Sequence, residues 1–191
     1  MAQRTALFLV LFAALAFGAC GSGGGGADDL LGAGPTTPTE PPPEPPTEPP
    51  TEPPTGTSMT PAELAKAMAV LDSVNAERAA IGQPPLVWDD AVAETAWKHS
   101  LDMDLRDYFS HTNPDGQLPW DRLTADGVSY GGAGENIYWA SWSASAAEAM
   151  DAWMNSPGHR DNILRAGWTH TGVGVHEGTG GSWWTQVFIS R

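Results

Sequence analysis

An α+β fold, with helices packed against an antiparallel sheet, is what the sequence predicts for residues 60–191, and three observations carry that expectation. Helix starts with complete capping signatures stand at Thr60-Pro61-Ala62-Glu63 and Ser145-Ala146-Ala147-Glu148. Apolar residues recur at helical spacing behind each of them. The clearest alternation comes last, in Thr171, Val173 and Val175 and again over residues 183–189. Helices first and a strand pair at the end place the strands in one antiparallel sheet with helices against it.

The 191-residue chain has room for one ordinary domain plus appendages. Residues 1–19 read as a signal peptide: Arg4 precedes an apolar run over residues 6–17, too short to span a bilayer as a mature helix. The run ends in Leu15-Ala16-Phe17-Gly18-Ala19-Cys20, which resembles the lipobox of bacterial lipoproteins, with Phe17 where that pattern prefers Leu. That resemblance makes Cys20, the only cysteine of the chain, a lipidated first residue of the mature protein. A lone cysteine also excludes an internal disulfide or a Cys-based metal cluster.

Residues 20–34 form a Gly-rich flexible segment, and residues 35–59 a Pro/Thr/Glu-rich spacer with eleven prolines between positions 35 and 54. Proline at that density favours an extended polyproline II path, about 3 Å per residue. The expected product is a domain held away from a membrane. That domain carries 8 Lys and Arg against 17 Asp and Glu, a net of −9. Such a balance excludes a phosphate-neutralising nucleic-acid surface and adsorption of the domain to anionic lipid.

Pro61 at the first helical position and Glu63 at the reciprocal capping position open a helix whose stripe runs Leu64, Met68, Leu71, Val74 and Arg78, with Gly82 ending it. An arginine on that stripe requires an ion pair or carbonyl contacts. Pro84 and Pro85 make a turn, and Asp89 or Asp90 caps a second helix to about Tyr108 with two apolar stripes, so it is covered on more than one side. Residues 110–116 read as loop, residues 135–139 as a short strand or irregular segment, and Ser156-Pro157-Gly158 as the break that ends the helix begun at Ser145. Trp88, Trp97 and Trp153 read as core, His99 as a packed polar contact and His170 and His176 as surface, while Trp139 and Trp142, which flank a short Ser/Ala loop, fit either ordinary packing or the rim of a cleft.

Few polar residues escape explanation by these patterns: His111, Glu135, Asn136, His159, Arg160 and Asn162. His111, Glu135 and His159 each follow a break or a Gly-rich stretch, where binding groups commonly hang. Two imidazoles and a carboxylate brought together would bind a divalent ion or move a proton, and zinc is the one cofactor such a set suggests.

Seven motifs then fall in one order: Val74-Asn75-Ala76-Glu77-Arg78, Pro85-Leu86-Val87-Trp88-Asp89, Phe109-Ser110-His111-Thr112, Gly134-Glu135-Asn136-Ile137, Ala152-Trp153-Met154-Asn155-Ser156-Pro157-Gly158-His159-Arg160, Asn162-Ile163-Leu164 and Trp184-Thr185-Gln186-Val187-Phe188. Together they resemble the CAP superfamily, or SCP domain, of cysteine-rich secretory proteins, venom allergens and plant pathogenesis-related proteins, in a bacterial, cysteine-free form. The resemblance implies an α-β-α sandwich with a central antiparallel sheet and a cleft holding a His/Glu cluster. It assigns the first cleft His to His111 and the first cleft Glu to Glu135. The second Glu falls on Ser156 and the second His on Trp183, so half of the family's tetrad is absent. His159, in the bacterial Ser-Pro-Gly-His-Arg motif, is the residue expected to bring an imidazole to the same cleft.

The resulting expectation is a membrane-tethered extracytoplasmic monomer, on the cell surface or in the periplasm, that binds a small apolar ligand such as a lipid, or an envelope component, at His111, Glu135, His159 and Asn136. The alternatives are a hydrolase using His111, Glu135 and His159 around a metal or water, and a structural envelope protein with a vestigial cleft.

Overall fold

The computed structural model describes residues 57–191, together with the backbone of a two-residue strand, β1 (Ala14–Leu15). Cys20, the Gly-rich segment and nearly all of the spacer lie outside the described residues. Among the described residues no helix is long and apolar enough to cross a membrane.

Both capping boxes form. The Thr60 hydroxyl accepts the Glu63 amide while Glu63 Oε2 accepts the Thr60 amide at 2.8 Å, opening α1 (Pro61–Ala80). The same reciprocal pair between Ser145 and Glu148 opens α4 (Ala146–Met154). Asp89 caps α2 (Asp90–Leu105) by accepting the Val92 amide at 3.0 Å.

The sheet runs in the order β1-β3-β5-β4-β2. β4 (His170–Gly178) and β5 (Gly181–Ser190) form the terminal hairpin, and β5 pairs antiparallel on its other side with β3 (Gly132–Ala140). β1 lies along the outer edge of β3, opposite Asn136 and Glu135. The sheet is mixed rather than purely antiparallel, because β2 (Val87–Trp88) runs parallel to the start of β4. Its partner lies far along the chain, so no hairpin dictates direction, and the Pro84-Pro85 run delivers it to an edge where a missing N–H costs no ladder bond.

Two further elements form where the sequence assigns no element or a break. α3 (Pro119–Ala125) begins on a proline, with the Asp121 carboxylate accepting the Leu118 amide. α5 (Pro157–Leu164) begins at the predicted break: Pro157 ends α4 and serves as the first residue of the next helix. β3 also extends back through the Gly-rich stretch, because β5 supplies a partner as far as Gly132.

Helices cover both faces. On one, Val70 and Val74 of α1, Trp153 of α4 and Ile163 of α5 pack on Trp184 and Phe188. On the other, Val92 and Ala96 of α2 and Leu123 of α3 pack on Val187 and Ile189. The result is a three-layer α-β-α sandwich. Trp153 is fully buried as predicted, while Trp88 and Trp97 are half-buried.

Candidate functional site

Alternation along β3 decides which predicted site residues meet. Glu135 and Asn136 are sequence neighbours, so their side chains leave the sheet on opposite faces. Glu135 points toward α2 and α3, and Asn136 toward α5.

On the Glu135 face, His111 Nδ1 lies 2.8 Å from Glu135 Oε1 and Arg122 Nη2 donates to Oε2 at 2.7 Å. A carboxylate only accepts, so it is His111 Nδ1 that carries the proton of this bond. Arg122, on α3, also donates through Nη1 to the carbonyls of His111 at 2.8 Å and Gln117 at 3.1 Å. The loop between those carbonyls is folded by Asn113, whose Oδ1 accepts the amides of Asp115 and Gln117. His111, Glu135 and Arg122 are 4%, 2% and 8% exposed, so the cluster is nearly buried. Arg122 is not among the residues the sequence singles out. Its local signal is a lone cation in the short segment that Pro119 opens.

Burial, the largest influence on Glu135, pushes its carboxyl up, but His99, the His111 hydrogen bond and the Arg122 charge outweigh it and hold the group below its ordinary range. His99 stands behind this cluster as the packed polar contact expected of it, 1% exposed, with Nε2–H donating to the Ser110 carbonyl at 3.0 Å. Burial pulls its pKa down to about 4, opposed by the Glu135 charge and reinforced by Arg122. At neutral pH His99 is therefore uncharged, and His111 and Arg122 are what hold Glu135 ionised.

A pH dependence follows. His99 binds a proton near pH 6.5 when unfolded and near 4 when folded, so its contribution to stability is complete above 6.5 and is lost as pH falls toward 4. That loss is on the order of 2–3 kcal/mol by pH 4.5. Glu135, with its folded pKa depressed, loses its contribution only at lower pH, as the carboxyl protonates. Thermal melts at pH 7 and 4.5 are expected to show a drop that His99→Gln removes in large part; an equal drop in that variant would refute the assignment.

On the opposite face, Asn136 Nδ2 donates to the His159 carbonyl at 3.2 Å, and Asn162 Nδ2 donates to Asn136 Oδ1 at 3.0 Å and to the Glu135 carbonyl at 3.2 Å. His159 is fully buried on α5, in the layer with α1 and α4. The structure thus brings His111 and Glu135 together and seats His159 with Asn136 and Asn162. Among the described residues, no group of three or more His, Cys, Asp or Glu side chains is arranged to hold a metal ion. The Glu135 carboxylate offers no open oxygen to zinc either, since Oε1 accepts the His111 Nδ1–H and a guanidinium faces Oε2.

An aromatic lip adjoins the cluster. Ile137 follows Glu135 on the same face of β3 and packs with Met103 and Trp183, against which Tyr108, Phe109 and Trp139 are only partly buried. Trp183, at the position of the family's second His, lies 6.5 Å from the Trp139 ring and 6.0 Å from that of His176. His176 is half-buried rather than on the surface, donating to Asp104 Oδ2 at 2.9 Å. Trp142 is 42% exposed beyond this lip. Between α2, α3 and the loop of residues 113–117, a cavity of about 270 Å³ is lined by Thr95, His99, Asp102, Asn113, Arg122 and Asp126. Ser110, beside His111, accepts the Thr112 amide.

Comparison with known proteins gives one answer. Residues 71–188 match the sequence model of CAP, described as the cysteine-rich secretory protein family. The chain is 42% identical over 135 residues to the uncharacterized protein YkwD of Bacillus subtilis, a match covering 71% of this chain and 51% of that one. It is 39% identical over 122 residues to the uncharacterized membrane protein YlbC of the same organism, covering 64% and 34%. The chain thus spans about half the length of one curated relative and a third of the other. Among solved structures, an extracellular SCP-domain protein of Bacillus anthracis superposes with a TM-score of 0.63 at 36% identity, over 70% of this chain and 44% of that one. An outer surface protein of Borrelia burgdorferi shares the fold, with a TM-score of 0.60 at 18% identity over 65% and 91%. With its seven motifs in order, its three-layer sandwich and its His111–Glu135 pair in place, the chain belongs to the CAP (SCP) superfamily, among its bacterial members.

Proposed function

We propose that this is an extracytoplasmic CAP-domain protein, anchored by lipid at Cys20 and held off the membrane by the spacer of residues 35–59, that binds a small apolar ligand. The observation that carries the binding reading is the aromatic lip of Tyr108, Phe109 and Trp139 around Trp183, beside the buried His111–Glu135 cluster. Aromatic faces with partial exposure offer a large contact area at small cost in side-chain entropy. The hydrolase alternative draws less support, because both Glu135 oxygens already hold donors and Ser110 pairs with a backbone amide. The leader pattern ending at Cys20 supports the anchor, and the description of the Bacillus anthracis relative as extracellular supports the compartment.

Two measurements test the two halves. Cys20→Ser is expected to move the protein from the detergent phase to the aqueous phase or leave its leader uncleaved; unchanged partitioning with cleavage elsewhere refutes the anchor. Titration with N-phenylnaphthylamine, a neutral fluorescent apolar probe, is expected to saturate and to weaken about tenfold in Trp139→Ala, the scale of losing one well-packed aromatic contact. Absence of saturation, or equal affinity in the variant, refutes the lip as a binding surface.

A further inference from the structure

The two oxygens of Glu135 decide what the His/Glu cluster holds. Oε1 takes the His111 Nδ1 proton at 2.8 Å and Oε2 takes a proton of Arg122 Nη2 at 2.7 Å. A zinc ion needs lone pairs at about 2 Å from three or four donors, and here one oxygen faces a protonated ring nitrogen and the other a guanidinium. Guanidinium does not give up its charge in proteins, so a divalent ion at Glu135 would be driven against a fixed cation. Both partners are nearly solvent-free, the Arg122 side chain at 9% exposure and that of Glu135 at 1%, which leaves little water to screen the repulsion.

We propose that Arg122 is the built-in cation of this site, taking the Glu135 oxygen that a metal ion would need, and that His111, Glu135 and Arg122 form a metal-free ionic clamp. The clamp joins three stretches of chain: the loop from His111 to Gln117 through the two carbonyls that Nη1 binds, α3 through Arg122 itself, and β3 through Glu135. It sets the His111 ring by fixing both its backbone carbonyl and its Nδ1 proton. This assignment concerns the buried cluster and does not depend on what the aromatic lip binds.

Calorimetric titration of the full chain with zinc chloride at pH 7 is the direct test, with no saturable heat expected and no melting shift between zinc and chelator. One-to-one zinc binding that His111→Ala or Glu135→Gln weakens tenfold or more would overturn the proposal. Arg122→Met, which keeps bulk and removes charge, is expected to lower the melting temperature by roughly 10 °C, because it strands a buried carboxylate. Adding Glu135→Leu to that variant is expected to recover at least half of the loss, since removing both charges leaves none uncompensated. An Arg122→Met protein that melts like the parent, or a double variant no more stable than the single one, would also overturn it. Should Arg122→Met fail to fold, recovery of a cooperative melt in the double variant carries the same decision.

Discussion

Replacing Arg78 with methionine is expected to lower the melting temperature of the domain by roughly 10–15 °C, the equivalent of about 3–5 kcal/mol. Arg78 sits on the buried stripe of α1 and is fully buried. Its Nη1 donates to the carbonyls of Ile163 and Arg165, each at 2.9 Å, and its Nε donates to that of Pro84 at 3.0 Å. Those carbonyls lie at the end of α5 and in the turn after α1, so one side chain closes a helix C-terminus and ties it to the first helix. No carboxylate balances the charge among the hydrogen bonds Arg78 makes; burial accordingly pulls its pKa below the ordinary arginine value. Methionine fills much of the volume and strands the acceptors, each costing the desolvation of a buried polar group. Arg78→Lys is expected to recover only part of the loss, because an ammonium on a flexible stem cannot reach three carbonyls in the guanidinium's fixed fan. Thermal melts of the two variants decide; a shift below about 3 °C for Arg78→Met would show that the carbonyls find other partners.

That Arg78 needed carbonyls or a counter-ion was legible from its place on an apolar stripe, and so were the two capping boxes and the terminal hairpin. Thr60 with Glu63 and Ser145 with Glu148 satisfy one another within a few residues, and the alternation of residues 171–175 with 183–189 is closed by a short turn. Much of what escaped has its cause elsewhere in the chain, although α3 carries a local start in Pro119 and Asp121. β2 is a strand only because residues 169–171 accept it, through Val87 N to the Thr169 carbonyl and Asp89 N to that of Thr171. Pro157-Gly158 reads locally as a stop, yet the carbonyls of Ile163 and Arg165 held by Arg78 define a helix that begins there.

The site divides the same way. His111 and Glu135 were found by motif, and the structure places them 2.8 Å apart. The expectation that His159 joins them rests on its place after a chain break and on the Ser-Pro-Gly-His-Arg motif, but its backbone carbonyl is held by Asn136, whose side chain leaves β3 on the face opposite Glu135. Parity is fixed by the register of β3 against β5, Glu135 opposite Val187 and Asn136 opposite Gln186, which no motif spells out. Arg122 carries no motif and meets Glu135 only after α3 folds, so nothing local marks it as the cation of the cluster.

Gly174→Ala is the smallest change expected to have the largest effect on the other layer. A Cβ built on Gly174 would lie 2.0 Å from the Trp97 nitrogen and 2.3 Å from the Ala96 carbonyl carbon, and one on Gly172 would lie 2.1 Å from the Ala93 nitrogen. These are backbone atoms of α2, so no rotamer change relieves the overlap. The helix itself has to move by more than an ångström, since ordinary carbon contacts begin near 3.5 Å. The alternation of Thr171, Val173 and Val175 with Gly172 and Gly174 suggests one apolar face and one open face, but both faces are covered, and the glycines form the trough in which α2 lies. Moving α2 also strains what it carries: Ser100 Oγ donates to Thr185 Oγ1 at 2.8 Å, and His99 anchors the Ser110 carbonyl beside His111. Gly174→Ala is therefore expected to destabilise by about 3 kcal/mol or more, at the upper end for overpacking, or to abolish folding. Gly131→Ala is the matched control, because its Cβ would meet Ser190 at an ordinary 3.5 Å. That variant is expected to stay within about 1 kcal/mol of the parent, and denaturant melts of the two in parallel separate a packing effect from a general cost of replacing glycine. If Gly174→Ala melts with the control, α2 has room to retreat from β4, and the close approach of helix and strand is not what fixes this layer.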